Sequence, residues 1–177
     1  MKVVVTGAGN QHGQAIVDAL LEDGHELRLF GGHGEDAARW GDRVQWHAGH
    51  IATIGSIEPV LSEREVLVHA ACFDAPAAGR KGKAAHAKMI LQGTMGCRYG
   101  AERELLEYFI LVAPAGGGAF RQVIQEAVAF AKGCRKVPTT IIEASLPEQS
   151  ASQVRRAIAA LQPLGRYPGR ETDAVTA

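Results

Sequence analysis

Apolar and polar positions along the chain change period several times, and each change marks an element. Val3, Val4 and Val5 form a continuous β-branched run, which predicts a strand buried on both faces. Ile16, Val17, Leu20 and Leu21 then recur at helical spacing, with Asp18, Glu22 and Asp23 on the other side and Gly24 closing the helix. HELRLF reads as a second strand, GGHGEDAARWGD as a turn with a short helix, and RVQWHA as a third strand. Ile54, Ile57, Val60 and Leu61 predict a helix cut short near Pro59. EVLVHAA, FILVAPA and TTIIEA supply the fourth, fifth and sixth strands. Before the last of these, FRQVIQEAVAFAKG predicts a helix with Phe120, Val123, Ile124, Ala127, Val128 and Ala131 on one side.

The middle is less regular. DAPAAGRKGKAA is rich in Ala, Gly and Lys and reads as a surface segment. A helix covers part of HAKMILQGTMGCRYGAERELLEY, with Gly93, Gly96 and Gly100 weakening its continuity. The alternation of strand and helix predicts an α/β fold, a three-layer domain with a mostly parallel sheet of about six strands. That domain spans 1–147. SASQVRRAIAALQPLG then offers one short helix, within 148–165, with Val154, Ile158 and Leu161 as a narrow apolar stripe, packing on the domain or on a partner chain. Residues 166–177 read as a loose tail. There are no repeats and no second core.

Composition narrows the classes of function. The chain has 177 residues, 46% hydrophobic and 21% charged, with a formal net charge of +0. That suits one domain with a real core and gives no global reason for nucleic acid or an anionic membrane as a partner. No apolar run approaches a membrane span, and the N-terminus lacks the pattern of a signal peptide. Cys72, Cys97 and Cys134 are widely spaced and lack a C-x-x-C, which points to reduced thiols in a cytoplasmic protein.

The most informative stretch is TGAGNQHG, between the first strand and the first helix. Gly7 allows a tight turn, Gly9 leaves room for a pyrophosphate near the backbone, and Gly13 permits close contact between helix and sheet. The free amides of the first helical turn can hold phosphates. This order points to nucleotide or dinucleotide binding; the alternative is a glycine turn kept for packing alone.

These residues resemble the opening of the short-chain dehydrogenase/reductase superfamily, T-G-x-x-G-x-x-G, and most closely the extended epimerase/dehydratase branch and the atypical NmrA-like proteins. Thr6, Gly7 and Gly13 fit that pattern, while Asn10 stands where the middle glycine would be. GHELRLF resembles the second strand of the family, LVHAA the fourth, and PTTIIEASLP the sixth. The resemblance covers roughly 1–147. It implies an NAD(P) cofactor, a small-molecule substrate and a cofactor site built from Thr6, Gly7, Gly9, Asn10, Gln11, His12, Gly13, Gly31, His50, Ala70 and Ala71. NAD-preferring domains place an acid at the end of the second strand, where this chain has Gly31, so NADP is slightly favoured. Arg39 is the first cation available to a 2′-phosphate; His33 reads chiefly as an uncommitted loop histidine, though it could contact a phosphate, and Glu35 and Asp36 could read a ribose or equally serve the first turn of a helix. His50 replaces the acid that relatives often carry after the third strand.

The usual catalytic set of that superfamily is missing. It needs Y-x-x-x-K on a helix, with a Ser or Thr after the fifth strand. Phe120 and Ile124 stand at the corresponding places, and Pro114 and its neighbours carry no hydroxyl. Tyr99 and Arg103 have the right separation, but they precede the fifth strand, and arginine does not replace lysine. Catalytic residues are therefore not assigned. His47 and His50 stand three apart near a strand end with His33 as the one further candidate, a poor match to the three or four converging ligands zinc wants, and no metal centre is expected. Arg80, Lys81, Lys83 and Lys88 could steer an anionic substrate or form a solvated loop. Cys72 has no base to activate it. Two classes stay open: an atypical NAD(P)-dependent reductase or epimerase-like enzyme, and a non-catalytic cofactor-binding regulator or structural relative. The FRQVIQEAVAFAKG helix could form a homodimer interface or serve only its own sheet.

Overall fold

A computed structural model describes residues 1–32, 38–53, 55–70, 73, 79–116 and 120–161. His33, Glu35, Asp36, Ile54, Ala71, Cys72 and the tail 166–177, all named above, lie outside the described residues.

Six strands, β1 (Lys2–Thr6), β2 (Glu26–Gly31), β3 (Val44–Ala48), β4 (Val66–His69), β5 (Tyr108–Pro114) and β6 (Thr139–Ala144), form one sheet in the order β3-β2-β1-β4-β5-β6. Every neighbouring pair is parallel. Helices α1 (Gln11–Glu22), α2 (Glu58–Leu61), α3 (Gly79–Arg103), α4 (Arg121–Lys132) and α5 (Pro147–Leu161) supply the outer layers, and a 3-10 turn at Gly41–Arg43 precedes β3. The strands read as apolar runs because both faces are covered. Val3, Val5, Leu27, Leu29, Val66 and Val68 face α1 and α5, meeting Ile16, Leu20, Val154 and Ile158. Val4, Leu67, Phe109 and Leu111 face the other layer, meeting Leu61 from α2, Ile90 and Cys97 from α3, and Ile124 and Ala127 from α4.

The helix around Pro59 is shortened, as the sequence predicts, to the single turn of α2, with Pro59 in its first turn, where a missing N–H costs nothing. Two other elements depart from their sequence reading. The segment read as surface chain becomes helical at Gly79, and α3 runs unbroken through all three of its later glycines. Two of those glycines, Gly93 and Gly100, are places of close approach. A Cβ at Gly93 would sit 3.0 Å from Ile51 Cγ1, and one at Gly100 would sit 2.7 Å from Leu61 Cδ1. Propensity is traded for packing. Lys81, Lys83 and Lys88 consequently lie exposed on a helix and not on a loop. Last, α5 begins at Pro147 itself. It packs along α1, and Arg155 pairs with Glu22 and Asp23.

Candidate functional site

The strand order reverses between β1 and β4, since β2 and β3 lie on one side and β5 and β6 on the other. Ligands of open α/β sheets bind beyond the strand ends at such a point. Here the β1–α1 turn occupies it. Gly7 takes φ +83°, a left-handed backbone that suits glycine. Gly13 is wedged behind the turn: a Cβ there would lie 2.6 Å from the Gly7 carbonyl carbon, 2.9 Å from Ala8 Cα, and closer still to the Gly7 oxygen. Helix α1 can therefore start against the strand only with glycine at this position.

Asn10 holds the turn from two sides. Its Oδ1 accepts the Gly13 N–H at 2.9 Å, capping α1, and its Nδ2 donates to the Ala70 carbonyl at 2.9 Å, just beyond β4. An asparagine where the resembling family has glycine thus joins the two central strands. Gly9 is exposed at the tip of the turn, and its carbonyl accepts from Gln14 Nε2. Gln11 and His12 open the first helical turn, where backbone N–H groups have no helical partner. The His12 ring does not face outward. It stacks on Phe73 with centroids 3.6 Å apart and shares a 2.7 Å hydrogen bond with buried Ser150 of α5. Burial lowers its pKa, with Glu148 pulling the other way.

Beneath the turn, Thr6 Oγ1 and His69 Nδ1 share a 2.6 Å hydrogen bond. His69 is fully buried, burial alone brings its pKa down to about 4, and its Nε2 has no partner. It is neutral at ordinary pH. The sequence reading passed over His69; the signal was a lone polar residue inside the apolar run VLVHAA.

Gly31 and His50, the residues expected on the adenosine side, lie close together. Gly31 ends β2, and its carbonyl accepts the Gly49 N–H at 3.0 Å, which brings His50 beside it. A side chain at Gly31 would press on Trp46, 3.3 Å away, so glycine keeps that edge open. His50 is exposed, and its Nδ1 accepts the Ala52 N–H. Arg39 Nη1 donates to Gln14 Oε1 at 3.1 Å and its Nη2 pairs with Asp18 at 2.5 Å, while Trp40 Nε1 also donates to Asp18. A guanidinium that is half exposed therefore stands two hydrogen bonds from Gly9. These features fit a dinucleotide: a left-handed glycine turn at the strand reversal, two first-turn amides, an open β2 edge and a cation nearby.

The residues weighed for catalysis do not join this group. Tyr99 is exposed and sits edge-on to Phe130 near the far end of α4, and Arg103 pairs with Glu58 at 2.9 Å. Phe120 precedes α4 and Ile124 is buried within it, so neither place offers a hydroxyl or an ammonium. A cavity of about 540 Å³ lies elsewhere, between α4 and β6, bordered by Pro114, Arg121, Gln125, Lys132 and Glu143. It touches no residue of the glycine turn. Among the described residues no group of three His, Cys, Asp or Glu converges on a metal position, and no helix is long and apolar enough to cross a membrane.

The architecture matches solved structures. A protein assigned to the short-chain dehydrogenase/reductase oxidoreductases, from Aeromonas hydrophila, superposes with a TM-score of 0.73 at 16% identity, over 88% of this chain and 90% of that one. The fold is Rossmann-like and matches that of short-chain dehydrogenase/reductase structures. Bordetella bronchiseptica WbmG, solved with NAD, gives 0.65 at 17% identity, over 80% of this chain and 52% of its own. The yeast methylglyoxal/isovaleraldehyde reductase Gre2, solved with NADPH, gives 0.69 at 13% identity, over 81% of this chain and 57% of its own. The chain thus spans little more than half the length of these two structures. No family model matches it, and no curated protein does.

Proposed function

We propose that this chain binds a nicotinamide nucleotide across the ends of β1, β2 and β4, as an atypical NAD(P)-dependent enzyme of the reductase or epimerase/dehydratase kind acting on a small molecule. The observation that carries the reading is the β1–α1 turn at the strand reversal, with Gly7 left-handed, Gly13 wedged and Asn10 tied to Ala70. The pyrophosphate would lie over Gly7 and Gly9 against the amides of Gln11 and His12. Adenosine would lie toward Gly31 and His50. NADP is favoured over NAD because Gly31 places no carboxylate against a 2′-phosphate and the half-exposed Arg39, held on α1 by Gln14 and Asp18, would supply a cation to it.

Calorimetric titration with NADP(H) and NAD(H) tests this directly. NADP(H) is expected to bind at least as tightly as NAD(H), with Arg39→Ala removing the difference. Absence of binding by either at millimolar concentration overturns the proposal, and a strong preference for NAD overturns its 2′-phosphate part. The second reading, a cofactor-binding regulator without turnover, is favoured by one observation: Phe120, Ile124 and Pro114 leave the fifth-strand side of the crevice without its expected hydroxyls and ammonium.

A further inference from the structure

We propose that His86 on α3 is the proton-transfer residue of the crevice, serving from a different helix the role that α4 cannot. This rests on the reading that the crevice binds a nicotinamide nucleotide. The placement follows from α3. Gly93 faces the top of β4, since a Cβ there would lie 3.7 Å from His69 Cε1. His86 is seven residues nearer the N-terminus of the helix, which puts it about 10 Å further along the axis and within about 20° of the same face. Helix α3 leaves the C-terminal end of β4 and returns to the start of β5, so that displacement carries His86 above the strand ends. Its ring meets Phe120 edge-on, with centroids 4.7 Å apart. Phe120 is the residue that enters α4 after β5, so His86 stands over the β4 and β5 ends, beside the place where the sequence lacks a phenol.

His86 is nearly enclosed, on the same inner face as Ile90 and Cys97. Nothing else on that described stretch can exchange a proton near neutral pH: Lys81, Lys83 and Lys88 are exposed outward. An imidazole can both donate and recover a proton, which suits a histidine to this role. In the step, hydride from the reduced nicotinamide nucleotide forms the new C–H bond at a substrate carbonyl carbon, and the carbonyl π pair moves to oxygen. An N–H bond of the His86 imidazolium breaks as the O–H bond of the alcohol forms. The neutral imidazole then takes a proton from water. Oxidation of an alcohol runs the same steps in reverse.

The deciding measurement is the His86 ring signal in 15N NMR, assigned by its loss in His86→Gln. NADP⁺ is expected to shift it, and 2′-phospho-ADP-ribose, which lacks the nicotinamide, is expected to leave it in place. Equal responses to the two overturn the proposal while leaving nucleotide binding intact. Failure of both to bind overturns the nucleotide reading and the proposal together. For proton transfer itself, isatin and 4-nitrobenzaldehyde serve as reactive carbonyl probes with NADPH. His86→Gln is expected to lower kcat at least about 100-fold while the affinity for NADPH stays within about threefold. His86→Asn replaces it if the Gln variant does not fold. Equal rates in wild type and variant, zero included, overturn the assignment.

Discussion

The β1–α1 and β5–α4 connections are both strand–turn–helix crossings with a left-handed glycine, Gly7 at φ +83° and Gly116 at φ +74°. They are otherwise unlike. The first is closed by backbone against backbone at Gly13, capped by Asn10 and tied to the neighbouring strand at Ala70. The second opens α4 at Phe120 without a side-chain cap, and a Cβ at Gly116 would meet nothing within 4 Å. Among the described residues, the first turn is fixed by backbone contacts and the second by the Arg121 bond to the Gly116 carbonyl, a difference that separates two demands. Holding a phosphate requires backbone in one exact shape. Chemistry requires side chains, and those can be supplied by another element, as His86 on α3 illustrates.

The largest expected effect lies at Gly13. Gly13→Ala places a methyl among backbone atoms of Gly7 and Ala8 that cannot rotate away. Relief requires α1 to leave the sheet, which breaks the Asn10 cap and the contacts of Ile16 and Leu20 with the core. We expect a loss of roughly 3 kcal/mol or more in urea unfolding, in the range of severe overpacking, together with loss of nucleotide binding. A variant with wild-type stability would show that the first connection is no tighter than the second.

Next comes the buried pair beneath the first turn. An unfolded histidine titrates near 6.5, whereas His69 in the fold is held at about 4 by burial. Between those values the unfolded chain binds a proton that the native state refuses, so stability present above pH 6.5 is lost as pH falls toward 4. The difference amounts to about 3 kcal/mol. His12, His25 and His47 are also shifted down, chiefly by burial. They remain in His69→Asn, so subtracting its acid destabilisation from that of the wild type isolates His69. Equal losses between pH 7 and 4 would mean that the Thr6–His69 pair is not the acid-sensitive support of the glycine turn.

The fold was legible because its signals are local. Val3–Val5, VLVHAA and the 3.6-residue period of α1 and α4 each carry their own burial pattern, and all-parallel pairing follows from their alternation. The continuity of α3 was not legible, because Gly93 and Gly100 look like helix breakers until Ile51 and Leu61 are seen against them. The same failure hid part of the candidate site. His86 shares helical spacing with Ile90 and Cys97, but its position above the sheet depends on where α3 begins and on which residue faces His69. The joining of Asn10 to Ala70 and of Arg39 to Gln14 involves residues far apart in the chain, and no local pattern encodes such pairs.

The smallest effect should fall at Gly116. Gly116→Ala meets no neighbour, so its cost comes only from holding a Cβ at positive φ, about 1–2 kcal/mol, less the smaller entropy that alanine has to lose from the unfolded chain. The Gly116 carbonyl, which accepts Arg121 Nε at 3.0 Å, is on the far side of that change and keeps its bond. Urea unfolding should therefore show a net loss of about 1 kcal/mol, and Gly116→Asn less, since asparagine tolerates the left-handed region. Nucleotide affinity should not move, because Gly116 borders the α4–β6 cavity and not the phosphate turn. A Gly116→Ala variant as damaged as Gly13→Ala would mean that the second connection is locked as well.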